Sequence, residues 1–239
     1  MLILVTDSQC VSRSPSNSHM LLFLEVVAAV VALMVSIAAY GTWEEHRRGR
    51  GYAAYCVERG YGYATALVAE ERPNEATRGL FEEDDHPTWG PAIRGTCNGV
   101  PFTAFECNWY RRGTSRHNDG IGATRWTMDR TLPRFLMTSG RSLWTGDVPM
   151  RASYDGGIIE FDDSPDFSRH YSVQGNDAAA VRALFTRDLR QALAVHSGCC
   201  VAGCGRELIW WRGETLPPAR VLDQFLLDGD QIRTLFARG

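Results

Sequence analysis

Residues Met20 to Tyr40, MLLFLEVVAAVVALMVSIAAY, form an apolar run of 21 residues in which Glu25 is the one charge. At 1.5 Å per residue the run makes roughly 31 Å of helix, the thickness of a bilayer's hydrocarbon core. A core helix of a soluble protein is rarely this long and this apolar on every face. The run therefore predicts one transmembrane helix over 20–40, preceded by a short polar tail over 1–19. Met20 opens the run so cleanly that it also fits as the first translated residue, with 1–19 an over-extended start. Glu25 sits near enough to one end for its carboxylate to reach the headgroups, or to meet a partner helix.

A cleaved signal peptide is the alternative reading of the same run. It would need a basic leader, where only Arg13 stands, and an apolar core of about 7–15 residues, shorter than this one. Ser36, Ala38, Ala39 and Gly41 leave a cleavage site open. A lipoprotein would need cysteine directly after the run, where Gly41 and Thr42 stand. Arg47, Arg48, Arg50 and Arg59 follow the run, against Arg13 before it. The positive-inside rule then expects the C-terminal part, 41–239, in the cytosol, with Arg47, Arg48 and Arg50 facing anionic lipid.

Composition narrows the function. A net charge of −3 gives no basic field for nucleic acid. All 25 basic side chains are arginine. Without lysine there is no P-loop lysine, no Schiff-base lysine and no kinase strand lysine. No G-x-S-x-G, H-E-x-x-H or G-x-G-x-x-G string occurs. No cofactor is expected.

The sequence after the run divides into a basic juxtamembrane helix over 41–60 and a soluble domain over 61–239. Tyr52, Tyr55 and Cys56 share a face of that helix, and Gly60 ends it. A strand is expected over 61–68, then an acidic loop over 69–90. Asn98-Gly99 between two β-rich runs, 92–97 and 100–110, is the strongest hairpin signal. It makes Cys97 and Cys107 candidate cross-strand neighbours. Residues 111–121 read as a polar loop. Strands are expected at 122–130, 133–138, 158–161 and 169–173, with turns over 139–157. A helix capped by Asn176 and ended by Gly198 carries Val181, Leu184, Phe185, Leu189 and Leu193 on one face. A hairpin over 199–203 and 206–212 follows. The last helix, 215–236, has Thr215 as cap, Pro217 and Pro218 in its first turn and Gly229 as a possible break. Strands clustered before helices mean α+β with a mostly antiparallel sheet and two C-terminal helices.

Four strings, RRGRGYAAYCVERGYGYA (47–64), AIRGTCNGVPFTAFECNW (92–109), the run from Glu160 to Leu193 and GRELIWWRGETLPPARVLDQFL (205–226), carry a resemblance. The chain resembles a widespread group of uncharacterised bacterial single-pass membrane proteins, in which an N-terminal anchor and a basic helix precede an α+β domain of unknown function. The resemblance implies a fold and a place in the bacterial inner (plasma) membrane. It brings no catalytic residues, and Glu106 stands where that group more often has aspartate.

Two polar clusters are candidate sites. Asp162, Asp163, Asp166 and His170 could serve acid–base or metal-dependent hydrolysis. Asp-Ser-Pro-Asp is also a good turn, its carboxylates bonding nearby backbone N–H groups. His196, Cys199, Cys200 and Cys204 have metal-like chemistry, yet supply one C-x3-C half without a second. The seven cysteines are odd in number and irregular in spacing, which argues against a disulfide framework. Glu106 is expected to pair with Arg94 or Arg125 across the sheet. The leading expectation is a membrane-tethered, non-catalytic cytosolic domain that binds a protein or a small ligand, with a hydrolase built on the four acid–base residues as the alternative.

Overall fold

The computed structural model describes residues 16–72, 87–110, 118–139, 157–196, 198–213 and 215–238. The chain forms two compact units, 1–47 and 48–239. In the first, α1 (Ser16–Arg59) carries the apolar run, whose described large side chains, from Met20 and Leu22 to Tyr40, are exposed. Among the described residues this is the one helix long and apolar enough to cross a membrane. Trp43 takes the Arg47 guanidinium over its ring, and Arg47 pairs with Glu44 one turn back.

The second unit begins with the last turns of α1, which end where Gly60 takes a left-handed φ of 68°. Six strands follow: β1 (Gly62–Ala64), β2 (Thr88–Cys97), β3 (Val100–Tyr110), β4 (Asn118–Ser139), β5 (Tyr171–Gly175) and β6 (Cys200–Trp211). All pairings are antiparallel. The order runs β1-β2-β3-β4-β5, and β6 lies along β4. Short helices α2 (Pro165–His170), α3 (Ala178–Leu184) and α4 (Arg187–Val195), and a long α5 (Ala219–Arg238), complete the α+β fold.

The β2–β3 hairpin closes as its sequence demands. Cys97 pairs with Val100, and Asn98 and Gly99 take φ of 50° and 78°, the two positive angles of a tight primed turn. That register parts the two thiols. Cys107 lies opposite Trp89, on the other face from Cys97, so they are not cross-strand neighbours.

The expected strands 122–130 and 133–138 are one strand. β4 keeps going through Pro133 because its register shifts between Thr127 and Leu132 and again between Leu132 and Phe135. Proline lacks a ladder donor and is tolerated at such irregularities. β6 is likewise one strand rather than a hairpin. Its Gly205, φ 60°, sits opposite Leu132 in the irregular stretch, and Gly203 leaves room for the Phe135 ring.

The helix expected over 176–198 is two. Asp177, not Asn176, caps α3 by accepting from Ala180 N, and Thr186 caps α4 by accepting from Leu189 N. Residues 165–170 are helical, so β5 begins at Tyr171 rather than Arg169. The strand over 158–161 shrinks to one bridge, Ile158 to Gln174. β1 is three residues long, and a single 3-10 turn, Ala69–Glu71, follows it. α5 starts after both prolines and passes Gly229 unbroken. A Cβ there would lie 2.9 Å from Thr124 Oγ1, so the glycine marks a close helix–sheet approach. The expected acidic loop falls largely outside the described residues, as do most of the loops at 111–121 and 139–157.

Alternate strand residues face opposite ways, and both faces are buried. Phe102, Trp126, Leu208 and Trp210 face the helices. Tyr52, Tyr55 and Cys56 of α1 pack there with Leu222 and Leu226 of α5, while Phe185 and Phe236 close on Phe135. The other face gathers Phe105, Cys107, Ile121, Ile209 and Trp211, with Leu67 from the segment after β1.

Candidate functional site

Glu106 is the most unusual polar residue in the second unit. It points from β3 to the helix-covered face, opposite Gly122 of β4, with 6% of its side chain exposed. Its Oε1 accepts from Arg48 Nη2 and, at 2.9 Å, from the backbone N–H of Leu216. Arg48 Nη2 also donates to Tyr52 Oη at 3.1 Å, and Tyr52 donates to the Leu216 carbonyl at 3.0 Å. One carboxylate thus joins the first residue of the unit, the central sheet and the segment leading into α5. Gly122 makes room for that segment. A Cβ on it would lie 2.0 Å from the Thr215 carbonyl carbon. Farther along α1, Tyr55 donates to Asp223 Oδ1 at 2.6 Å and Arg59 pairs with the same carboxylate. Burial, then the bond to Asp223, pushes the Tyr55 hydroxyl's pKa up.

The expected partners of Glu106 are engaged elsewhere. Arg94 grips Glu71 with two nitrogens, and this holds the Glu71 carboxyl below its ordinary range. Arg125 reaches the Glu71 carbonyl at 2.6 Å and Glu207 at 3.5 Å. Arg48 is equally committed, so it does not face lipid as expected.

The acid–base candidates do not converge. Asp163 pairs with Arg190, which is buried beneath the turn and also holds Ser164 Oγ at 2.9 Å and the Phe185 carbonyl at 2.6 Å. Asp166 accepts from Arg169 one turn on, and His170 Nδ1 donates to the Asp166 carbonyl at 2.7 Å. Asp162 borders an open cleft of about 620 Å³ with Ile158, Phe161, Pro165, Arg169 and Tyr171, but Asp163, Asp166 and His170 do not line it. Asp163 and Asp166 are thus engaged by arginine side chains, not by the backbone N–H groups that the turn reading expected.

The thiol candidates diverge as well. Cys199 packs in the helix-covered core and Cys200 in the cluster on the opposite face. Cys199 lies 3.4 Å from Tyr171 Oη, which itself donates to the His196 carbonyl. Burial pushes the Cys200 thiol up to about 12 and raises Cys199 too, so both stay protonated at neutral pH. Among the described residues no group of three or more His, Cys, Asp or Glu side chains is placed to hold a metal ion.

Sequence reasoning missed the Arg48–Glu106–Leu216 junction, since its members are 58 and 110 residues apart. The signal available was an acidic residue at an inward position of a hydrophobic strand.

No protein-family model matches the chain, and no curated protein matches it. Among solved structures, that of the mycobacterial trehalose monomycolate transport factor A is similar to it. The identity is 11%, the TM-score 0.54, and the match covers 79% of this chain and 93% of that chain. At that identity the likeness is one of fold.

Proposed function

We propose that this chain is a membrane-tethered, non-catalytic domain that binds a protein or a small ligand at the cytosolic face of a bacterial inner membrane. The observation that carries the reading is α1, whose 20–40 stretch is apolar and exposed on every side. The arginine excess after that stretch supports the cytosolic orientation. The resemblance of its sequence strings to bacterial single-pass proteins supports the same placement. The local engagement of Asp163, Asp166 and His170, and the protonated, buried thiols, support a binding role over a catalytic one. The fold neighbour is a transport factor by its title, and by fold analogy alone an accessory role in transport is the most specific form of the reading.

A reporter tests the placement. Alkaline phosphatase fused after Gly239 is active only outside the cytosol and is expected to be inactive. The full chain is expected to stay with membranes in alkaline carbonate. Strong phosphatase activity refutes the orientation, and release by carbonate refutes the tether. Crosslinking in intact cells, followed by recovery of the full chain, then identifies what the domain binds.

A further inference from the structure

We propose that Asn98, at the tip of the β2–β3 hairpin, is a site of deamidation, and that the acid formed there releases the hairpin from α5. Of the asparagines in the chain, Asn98 alone precedes a glycine. A following glycine carries no Cβ to shield its backbone nitrogen. Asn98 and Gly99 are both exposed, and a Cβ on Gly99 would meet nothing within 4 Å. The two residues stand outside the ladder, which closes at Cys97 and Val100. Among the described residues the Gly99 N–H has no hydrogen-bond partner. The reaction needs water alone. The Gly99 nitrogen gives its proton to solvent and bonds to Asn98 Cγ, while the Cγ–Nδ2 bond breaks and Nδ2 takes up a proton and leaves as ammonia. Water then opens the five-membered imide at either carbonyl and leaves an aspartyl or an isoaspartyl residue. Nothing is oxidised or reduced.

The exchange matters because of what Nδ2 holds. It donates at 2.7 Å to Asp230 Oδ2 of α5. Asp230 is 6% exposed, and its other oxygen accepts from Arg233 Nε at 2.7 Å. Arg233 in turn lies over the Trp126 ring. Deamidation puts a carboxylate where the donor stood. Two carboxylates at hydrogen-bond distance repel, and the buried Oδ2 loses its donor. Arg233 can offset one of the two charges but not both. The tip therefore moves off α5, and the stretch of α5 that loosens carries Ile232 and Phe236, both in the core.

The test ages the full chain, folded in detergent, at mildly alkaline pH and maps it by mass spectrometry after cleavage at arginine, with a urea-unfolded sample as positive control. The peptide 95–111 holds Asn98 and Asn108. Asn98 is expected to turn into aspartyl and isoaspartyl forms while Asn108 keeps its amide. Asn98 that stays intact in the folded chain, or converts no faster than Asn108, overturns the site. The Asn98→Asp variant reads the consequence. It is expected to lower Tm by about 2–6 °C and to speed amide hydrogen exchange over 226–236. Asn98→Ser, which drops the amide without adding charge, is expected to cost less. Asp230→Asn supplies a donor in place of the acceptor, so in that background Asn98→Asp is expected to cost little or nothing. An Asn98→Asp variant with the parent's Tm and exchange, or one whose loss is the same in both backgrounds, overturns the release of α5.

Discussion

Replacing Glu106 with alanine tests whether its carboxylate joins the unit's first residue to its last helix. The substitution removes a carboxylate that is 6% exposed and whose Oε1 holds Arg48 Nη2 and Leu216 N. A hydrogen bond to a charged group contributes about 1.5–3 kcal/mol, and a buried N–H left without an acceptor costs about 1–3 kcal/mol. Arg48 is 31% exposed and so regains part of its hydration. That places the loss below the 3–5 kcal/mol typical of orphaning a fully buried charge. The expected cost is about 2–3 kcal/mol. At about 2–4 °C per kcal/mol for a domain of this size, Tm falls by about 4–12 °C. Glu106→Gln keeps the shape and an acceptor for Leu216 N, and loses about half as much. Combined with Arg48→Met in a double-mutant cycle, it is expected to show a coupling of about 1–2 kcal/mol. The assay is thermal unfolding of the full chain in detergent, followed by near-ultraviolet circular dichroism. A Glu106→Ala Tm within 2 °C of the parent, or additive single effects, would refute the junction as a stabilising element.

Other consequences are directly measurable. Gly122→Ala would force its Cβ into the backbone at Thr215; a loss of about 1–3 kcal/mol is expected in denaturant unfolding, and a neutral result removes the close approach. Gly99→Val puts a β-branched residue at φ 78° and is expected to cost about 1 kcal/mol or more, with Gly99→Asn much milder. The lowered pKa of Glu71, caused first by its bonds from Arg94, gives a stabilisation that is complete above the unfolded pKa of about 4.3 and fades as pH falls through the lower folded value. Arg94→Gln should flatten that acid limb of the Tm-against-pH curve, and parallel curves would contradict it. Metal analysis of the purified chain should find far less than one equivalent of zinc; a full equivalent that disappears in Cys200→Ser/Cys204→Ser would overturn the reading of that thiol cluster.

What the sequence made legible was local. Asn98-Gly99 specifies its own turn, because two positive φ angles in succession suit few other pairs. The apolar run over 20–40 forms the helix expected of it, long and apolar enough to cross a membrane. Errors cluster where a residue's usual local meaning was overridden by packing. Pro133 reads as the start of a second strand, yet β4 runs through it because a register shift excuses its missing donor. Residues 204–205 read as the turn between strands 199–203 and 206–212, but Gly205 follows the irregular stretch of β4 and Gly203 clears space for Phe135. Gly229 reads as a helix break, yet α5 uses it to approach Thr124 and Trp210. A glycine signals that a side chain is unwelcome, and the sequence does not say whether backbone torsion or a neighbour makes it so.

Arg48 shows the same limit for function. Within α1 it sits among Arg47 and Arg50, and electrostatics alone assigns all three to lipid. The helix period separates them. Arg48, Tyr52, Tyr55 and Arg59 share one face, and each of the four engages an acid or a carbonyl of the folded domain. Arg47 and Arg50 lie off that face. The aromatic pair at 52 and 55 already marked the inward side, so the arginine one turn before Tyr52 belonged with it. What could not be read was its acceptor, because Glu106 reaches it only once β3 pairs with β4 and the 215–218 segment crosses Gly122. A polar residue on an apolar helix face is therefore better assigned to an unseen internal partner than to the surface, and the Glu106–Arg48 coupling measures how far that rule holds here.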